Sequence, residues 1–276
     1  MPVQTVPCME FVGEANDNKD KSSSSGSLRL WSQWQLLDSI LPTGGFAHSF
    51  GLEAAMQARL VISPEDLRTY VIHVLENTGS LLLPFVYAAA MSPDTQTWHK
   101  LDRLLNAMLT NEVGRKASIA QGSALMRVAA SVFSEIPSLK MMRSEALSSG
   151  AVSFHHAPIF GLVCGLLGFE AETTQKAYMF VTMRDVISAA TRLNLVGPLG
   201  AAVLQHQVAP IAEDLSTKWM NRAVEEAWLS QLLVFPTVLF LKAESHNKTS
   251  VRPFLLPRQN GSLQNYPRLL KKRIQF

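Results

Sequence analysis

The chain has 276 residues, of which 47% are apolar; that is enough hydrophobic side chain to build a core, and it excludes bulk disorder. The net charge of +3 is unevenly placed, because residues 242–276 hold eight basic groups against one acidic (+7), which leaves −4 on residues 1–241; an acidic body argues against a nucleic-acid-binding face. Two cysteines, Cys8 and Cys164, with no Cys-x-x-Cys spacing, exclude a disulfide framework and a four-cysteine zinc site, and point to a reducing, cytoplasmic setting.

Residues 1–28 are polar, with a charged Asn16–Lys21 run followed by serines, and are expected to be a disordered leader. The helical pattern starts after it. Ser63-Pro64-Glu65-Asp66 places an N-cap serine before a first-turn proline and two acids, which predicts a helix start. Ser92-Pro93-Asp94 reads as the same device, and Trp98, Leu101, Leu105 and Met108 give the stripe that follows. Val113, Ala117, Ala120, Ala124 and Val128 form a narrow stripe suited to close helix packing. Met179, Met183, Val186, Ala190 and Leu193 form another. Breaks fall at Pro42–Gly45, Gly150, Gly168 and Gly197-Pro198, and alternating strand patterns are missing. The expected fold is all-α: one helical bundle of roughly eight to ten helices over residues 29–227, without significant sheet. The uncharged runs Ala157–Phe169 and Trp228–Leu241 fall short of the ~20 residues that span a bilayer, so no membrane span is expected. Residues 228–276 read as a basic, largely disordered tail.

The most unusual segment is Pro42-Thr43-Gly44-Gly45-Phe46-Ala47-His48-Ser49-Phe50-Gly51-Leu52-Glu53. Proline and paired glycines make a tight turn there, with a helix expected just after it. Ala47-His48-Ser49-Phe50-Gly51 lacks the first glycine of a nucleophile elbow, and no strand pattern precedes it; a helical hydrolase using Ser49 is one alternative. No phosphate-binding G-x-x-x-x-G-K-[ST] loop occurs, so nucleotide hydrolysis by this chain alone is not expected. Gly161, Gly165 and Gly168 read as sites of close helix approach. His155-His156 is the one adjacent histidine pair, and neighbours on a helix make a poor chelate; no metal ligand is assigned. Arg115, Arg127, Arg184 and Arg192 stand on otherwise apolar or small helices, where each can pair with a carboxylate or cap a carbonyl. A peripheral membrane adaptor using Trp228–Leu241 and the basic Arg268–Arg273 end is a second alternative.

The segment Leu36–Glu53 resembles the N-terminal signature of the UreF family of urease accessory proteins, a Leu-Pro-x-Gly-Ala/Gly-Phe stretch followed by Ser-x-Gly-Leu-Glu. Asn111–Ser118 with Gln121-Gly122 is similar to the family's mid-chain helix, His155–Gly161 to its entry into an apolar helix, and Ser188–Leu193 to its Ala-Ala-x-Arg-Leu segment. The resemblance covers about residues 30–226 and is nearest to the plant-like branch. It implies an all-α homodimer that is not an enzyme. Such a protein would bind a UreD/UreH-type scaffold, recruit or regulate the GTPase UreG, and dock on apo-urease for nickel insertion. Nickel would be handled by the complex, with no cofactor held by this chain. The residues it carries over as partner-binding or fold-shaping are Pro42, Gly44, Gly45, Phe46, Ser49, Gly51, Glu53, Arg115, Gln121, Gly122, His156, Pro158 and Arg192. After Ala227 the sequence departs from the family's usual His-x-x-x-x-Ser-Arg-Leu-Phe-x-Ser tail, and an alternative transcript or read-through is the expected reason.

Overall fold

A computed structural model describes residues 30–227; the expected leader at 1–28 and tail at 228–276 lie outside them. Among the described residues there is no strand. The helices are α1 (residues 30–37), α2 (Leu52–Gln57), α3 (Pro64–Asn77), α4 (Leu83–Met91), α5 (Thr95–Met108), α6 (Glu112–Val132), α7 (Pro137–Ser149), α8 (His156–Leu166), α9 (Ala171–Arg192) and α10 (Pro198–Trp219).

Local chemistry sets the ends. Ser63 accepts from the Asp66 amide at 3.1 Å, and the Asp66 carboxylate accepts back from the Ser63 amide at 3.1 Å. This capping box starts α3 where the sequence places it, and is worth about 1 kcal/mol. The start of α5 is different. Its cap is Asp94, whose carboxylate accepts from the Thr97 amide at 2.9 Å, so Pro93 precedes the cap and Ser92 lies outside the helix. Asp94 wins because its side chain sits three residues before the amide it satisfies. Gly150 ends α7 in the left-handed region, with φ 60°.

The core centres on α9, which is buried on nearly all sides and packs against α3, α4, α8 and α10. The tightest pairing is α4 with α8. A Cβ at Gly161 would strike the Val86 carbonyl, and one at Gly165 would sit 2.7 Å from the Ala90 carbonyl, so these glycines do let two backbones meet. The stripes on α5 and α9 are buried as expected, down to a partly buried Met108 and Leu193. The α6 stripe is buried only at Val128: Val113 is 71% exposed, Ala120 is exposed, Ala117 and Ala124 are half-buried, and the buried residues are Gln121, Gly122, Leu125, Met126, Val128 and Ala129. The side of α6 that faces α8 is chosen by Gly122, against which the chain entering α8 lies directly.

Residues 64–91 are continuous helix, widened at Thr78–Leu82 into a π turn. Pro84 has no amide to donate, and its ring would clash with the carbonyl four residues back in regular α register. The Leu83 amide instead reaches the Thr78 carbonyl, five residues back. This helix is long and apolar enough to cross a membrane by length and composition, which the uncharged runs of the sequence do not suggest. However, 61% of its apolar window is buried inside the fold, so it is a core helix of the bundle.

Candidate functional site

The family-like residues assemble into two groups joined by His156. The first is the glycine turn laid on α9. Gly44 adopts φ 78°, a left-handed conformation that costs a side-chain-bearing residue about 1–2 kcal/mol, and Gly45–Ala47 forms a short 3-10 turn. Gly45 is buried so closely on α9 that a Cβ there would land on the Asp185 carboxylate. Beside it, Arg184 donates through Nε and Nη2 to Asp185 Oδ1 at 2.9 and 2.8 Å and through Nη1 to the Leu37 carbonyl at 2.5 Å. The guanidinium also covers the Phe46 ring at 5.2 Å. One arginine therefore neutralises a buried acid, caps the last carbonyl of α1 and holds the signature phenylalanine. Burial raises the Asp185 pKa, and Arg184 opposes that shift.

Farther along α9, exposed Arg192 reaches the His48 carbonyl at 3.4 Å. Burial lowers the His48 pKa, and Arg192 adds to the shift while Asp185 opposes it. Phe50 (φ 53°) and Gly51 (φ 85°) turn the chain into α2, and the Tyr70 hydroxyl fixes that turn by donating to the Phe50 carbonyl at 2.7 Å. Ser49 contributes its carbonyl to the Leu52 amide, and its hydroxyl meets no histidine among the described residues. Pro42 and Glu53 are exposed.

The second group surrounds the entry to α8. Fully buried Asp102 of α5 accepts from the Ser153 and His155 amides, both at 2.6 Å. Between those amides Phe154 is held at φ 68°, with its ring 5.5 Å from Trp98. The carboxylate thus fastens a strained turn. His155 is buried, with Nδ1 3.1 Å from Ser118 Oγ and Nε2 3.2 Å from Asn106 Oδ1. Ser118 Oγ also accepts the His156 amide at 3.2 Å. The ring is consistent with the neutral tautomer that donates from Nε2 to Asn106 and accepts the Ser118 hydroxyl proton. Burial lowers the His155 pKa; Asp102 opposes and Arg115 reinforces this. The order serine, histidine, asparagine imitates a hydrolytic relay, but the Ser118 oxygen already receives a backbone amide and the imidazole is sealed in the core. The relay is structural.

Gly122 makes this packing feasible, since a Cβ would lie 2.7 Å from the His155 carbonyl carbon and 2.8 Å from the His156 amide. Gln121 is buried next to it, and Pro158 is buried in the first turn of α8, where proline costs no hydrogen bond. Arg115 is half-buried; its amide donates to the Asn111 carbonyl at 2.9 Å, and its side chain makes no hydrogen bond or ion pair among the described residues.

His156 links the groups. Its amide belongs to the Ser118 relay, while its ring lies 5.9 Å from Phe160 and 5.4 Å from Tyr178, whose hydroxyl is 3.3 Å from Nδ1. The ring keeps some accessible surface. Close packing nonetheless pushes its pKa down to about 4, with Arg184 and His48 adding to the shift. Tyr178 is pushed up by burial and by Asp185. Among the described residues no three His, Cys, Asp or Glu side chains are grouped to hold a metal ion.

Sequence reasoning reaches Arg184 and names Ser118 only as the end of a family-like segment, but misses Asp102, Asn106, Tyr178 and Asp185. Asp102 has a signal: it stands four residues after Trp98, on the buried face of α5.

The UreF family profile matches residues 61–209, a span that holds Arg115, Gln121, Gly122, His156, Pro158 and Arg192 and begins after the glycine turn. Urease accessory protein F of Arabidopsis thaliana is 69% identical over 205 residues, covering 74% of this chain and 85% of the relative. Urease accessory protein F of Oryza sativa subsp. indica is 70% identical over 214 residues, covering 78% and 82%. Urease accessory protein UreF of Arthrobacter sp. (strain FB24) is 30% identical over 199 residues, covering 70% and 83%.

Proposed function

The chain belongs to the UreF family of urease accessory proteins, and from that premise we propose that it works as a homodimeric cytoplasmic scaffold in urease maturation. It is an accessory protein and not an enzyme. In this reading it binds a UreD/UreH-type scaffold, recruits or regulates the GTPase UreG, and docks on apo-urease while nickel is inserted. Nickel is the cargo of the whole assembly, and this chain holds no cofactor of its own.

The observation that carries the reading is the way the family-like residues divide by exposure. Gly45, Gln121, Gly122 and Pro158 are buried and shape the fold. Pro42, Gly44, Glu53 and Arg192 are exposed, and Arg115 is half-buried with a side chain that makes no hydrogen bond or ion pair among the described residues. The two arginines suit an acidic partner face, where a desolvated arginine pair carries specificity. The test is affinity capture of UreG and the scaffold by Arg115→Glu and Arg192→Glu variants. The reading expects each variant to fold with near-normal stability and to lose at least tenfold in capture. Full capture by both would overturn the assignment of these surfaces.

A further inference from the structure

The C-terminal end of α10 is fastened to the bundle along one seam. Trp219 seats its indole against Gly79 in the π turn, so closely that a Cβ on Gly79 would lie 2.9 Å from Trp219 Cγ. Lys218 Nζ and the Arg222 guanidinium lie over the same indole at 4.8 and 4.6 Å. Lys218 is also ion-paired with Glu76 of α3. The indole N–H is buried, yet it has no acceptor among the described residues. Two residues on, buried Gln175 of α9 brackets Asn221: Nε2 donates to Asn221 Oδ1 and Oε1 accepts the Asn221 amide, both at 2.9 Å. Asn221 sits at φ 56°, and the chain then buries Ala227.

We propose that Trp219 and the π turn form a releasable latch, so that residues 219–227 detach from the bundle as one unit while α8 and α9 stay folded. The argument is one of local balance. The indole sits against a glycine with Lys218 and Arg222 over it, and the ring's donor stays unsatisfied, which subtracts from the stability of the closed form. Asn221 takes a left-handed conformation that Gln175 brackets through both its amide and its side chain. The π turn is itself a departure from regular helix, of the kind that is frequent at functional sites. The interior contrasts with this, because α4 and α8 meet backbone to backbone through Gly161 and Gly165. Openings of this kind draw on the weakest seam, well below global unfolding. Any force applied to the chain beyond residue 227 reaches the latch first. This inference stands on the seam alone and does not depend on the partners proposed above.

Native-state hydrogen exchange on the full chain, followed by mass spectrometry in low urea, tests it. Amides of residues 220–227 are expected to exchange at least tenfold faster than those in the middle of α8 and α9. Gly79→Ala, which displaces the ring without straining a helical backbone, should speed exchange at 220–227 at least tenfold more and leave α8 and α9 within twofold. Gln175→Ala should do the same from the other side of the seam. Protection at 220–227 equal to that of α9 in the unsubstituted chain overturns the latch whatever the variants do. So does a Gly79→Ala variant whose α9 amides speed up as much as residues 220–227.

Discussion

Replacing Asp102 by Asn puts the strained turn before α8 under direct test. The carboxylate offers both oxygens to the loop before α8, taking the Ser153 and His155 amides at 2.6 Å each. Asparagine keeps the shape and one oxygen, and turns an NH2 group toward the other amide. One buried amide is then left unsatisfied at about 1–3 kcal/mol, and the remaining bond loses its charge-assisted strength. Phe154 also loses part of the clamp that holds it at φ 68°, where a non-glycine residue stores about 1–2 kcal/mol. The expected loss is about 3 kcal/mol in urea unfolding, a fall in Tm of about 6–12 °C for a domain of this size. Because Phe154 packs on Trp98, the near-ultraviolet signal of the folded state should change as well. A loss under about 0.5 kcal/mol, the range of ordinary surface substitutions, with an unchanged aromatic signal would refute the claim that Asp102 fastens this turn.

The depressed pKa of His156, about 4 against an ordinary 6.5, makes the folded state prefer the neutral ring. Stability is then fully present above pH 6.5 and is lost as pH falls toward 4, because the unfolded chain takes up the proton first; the two values differ by enough for about 3 kcal/mol, which the ring's residual exposure trims to about 2 kcal/mol. His156→Gln should flatten the profile in urea titrations between those pH values, and an unchanged slope would count against the assignment. Gly122→Ala forces a Cβ onto the Phe154–His156 backbone and should cost about 1–3 kcal/mol of overpacking, read by thermal melting; a neutral result would mean that α6 and α8 can separate freely. Gly44→Ala meets no neighbour and should lose only the left-handed backbone term of about 1–2 kcal/mol, whereas Gly45→Ala must also displace the Asp185 carboxylate and should lose more. Equal losses would show that Gly45 is not seated on α9 as described.

Helix class and most helix ends were legible because they depend on neighbouring residues. The Ser63 cap and the stripe from Trp98 to Leu105 need only residues three or four apart. The start of α5 was misplaced by two residues, since Ser92 and Asp94 are both good caps and only the reach of a side chain to the Thr97 amide separates them. The packing face of α6 was illegible for a tertiary reason: small residues mark a face that could pack closely, but Gly122 marks the one that does, and its partner lies more than thirty residues away. The π turn left a trace in Pro84, a proline inside an apolar helical run. The motif residues were readable as a set, but not their division into buried and exposed members. That division depends on tertiary contacts: Gly45 is covered by Asp185 of α9, and Gly122 by the chain entering α8.

The most direct test of the accessory role is co-expression of this chain with a UreD/UreH-type scaffold and UreG, followed by size-exclusion chromatography with light scattering. The account predicts one stable peak holding all three proteins, with two copies of this chain. Separate elution of this chain from both partners, under conditions where a plant relative co-elutes, would contradict it.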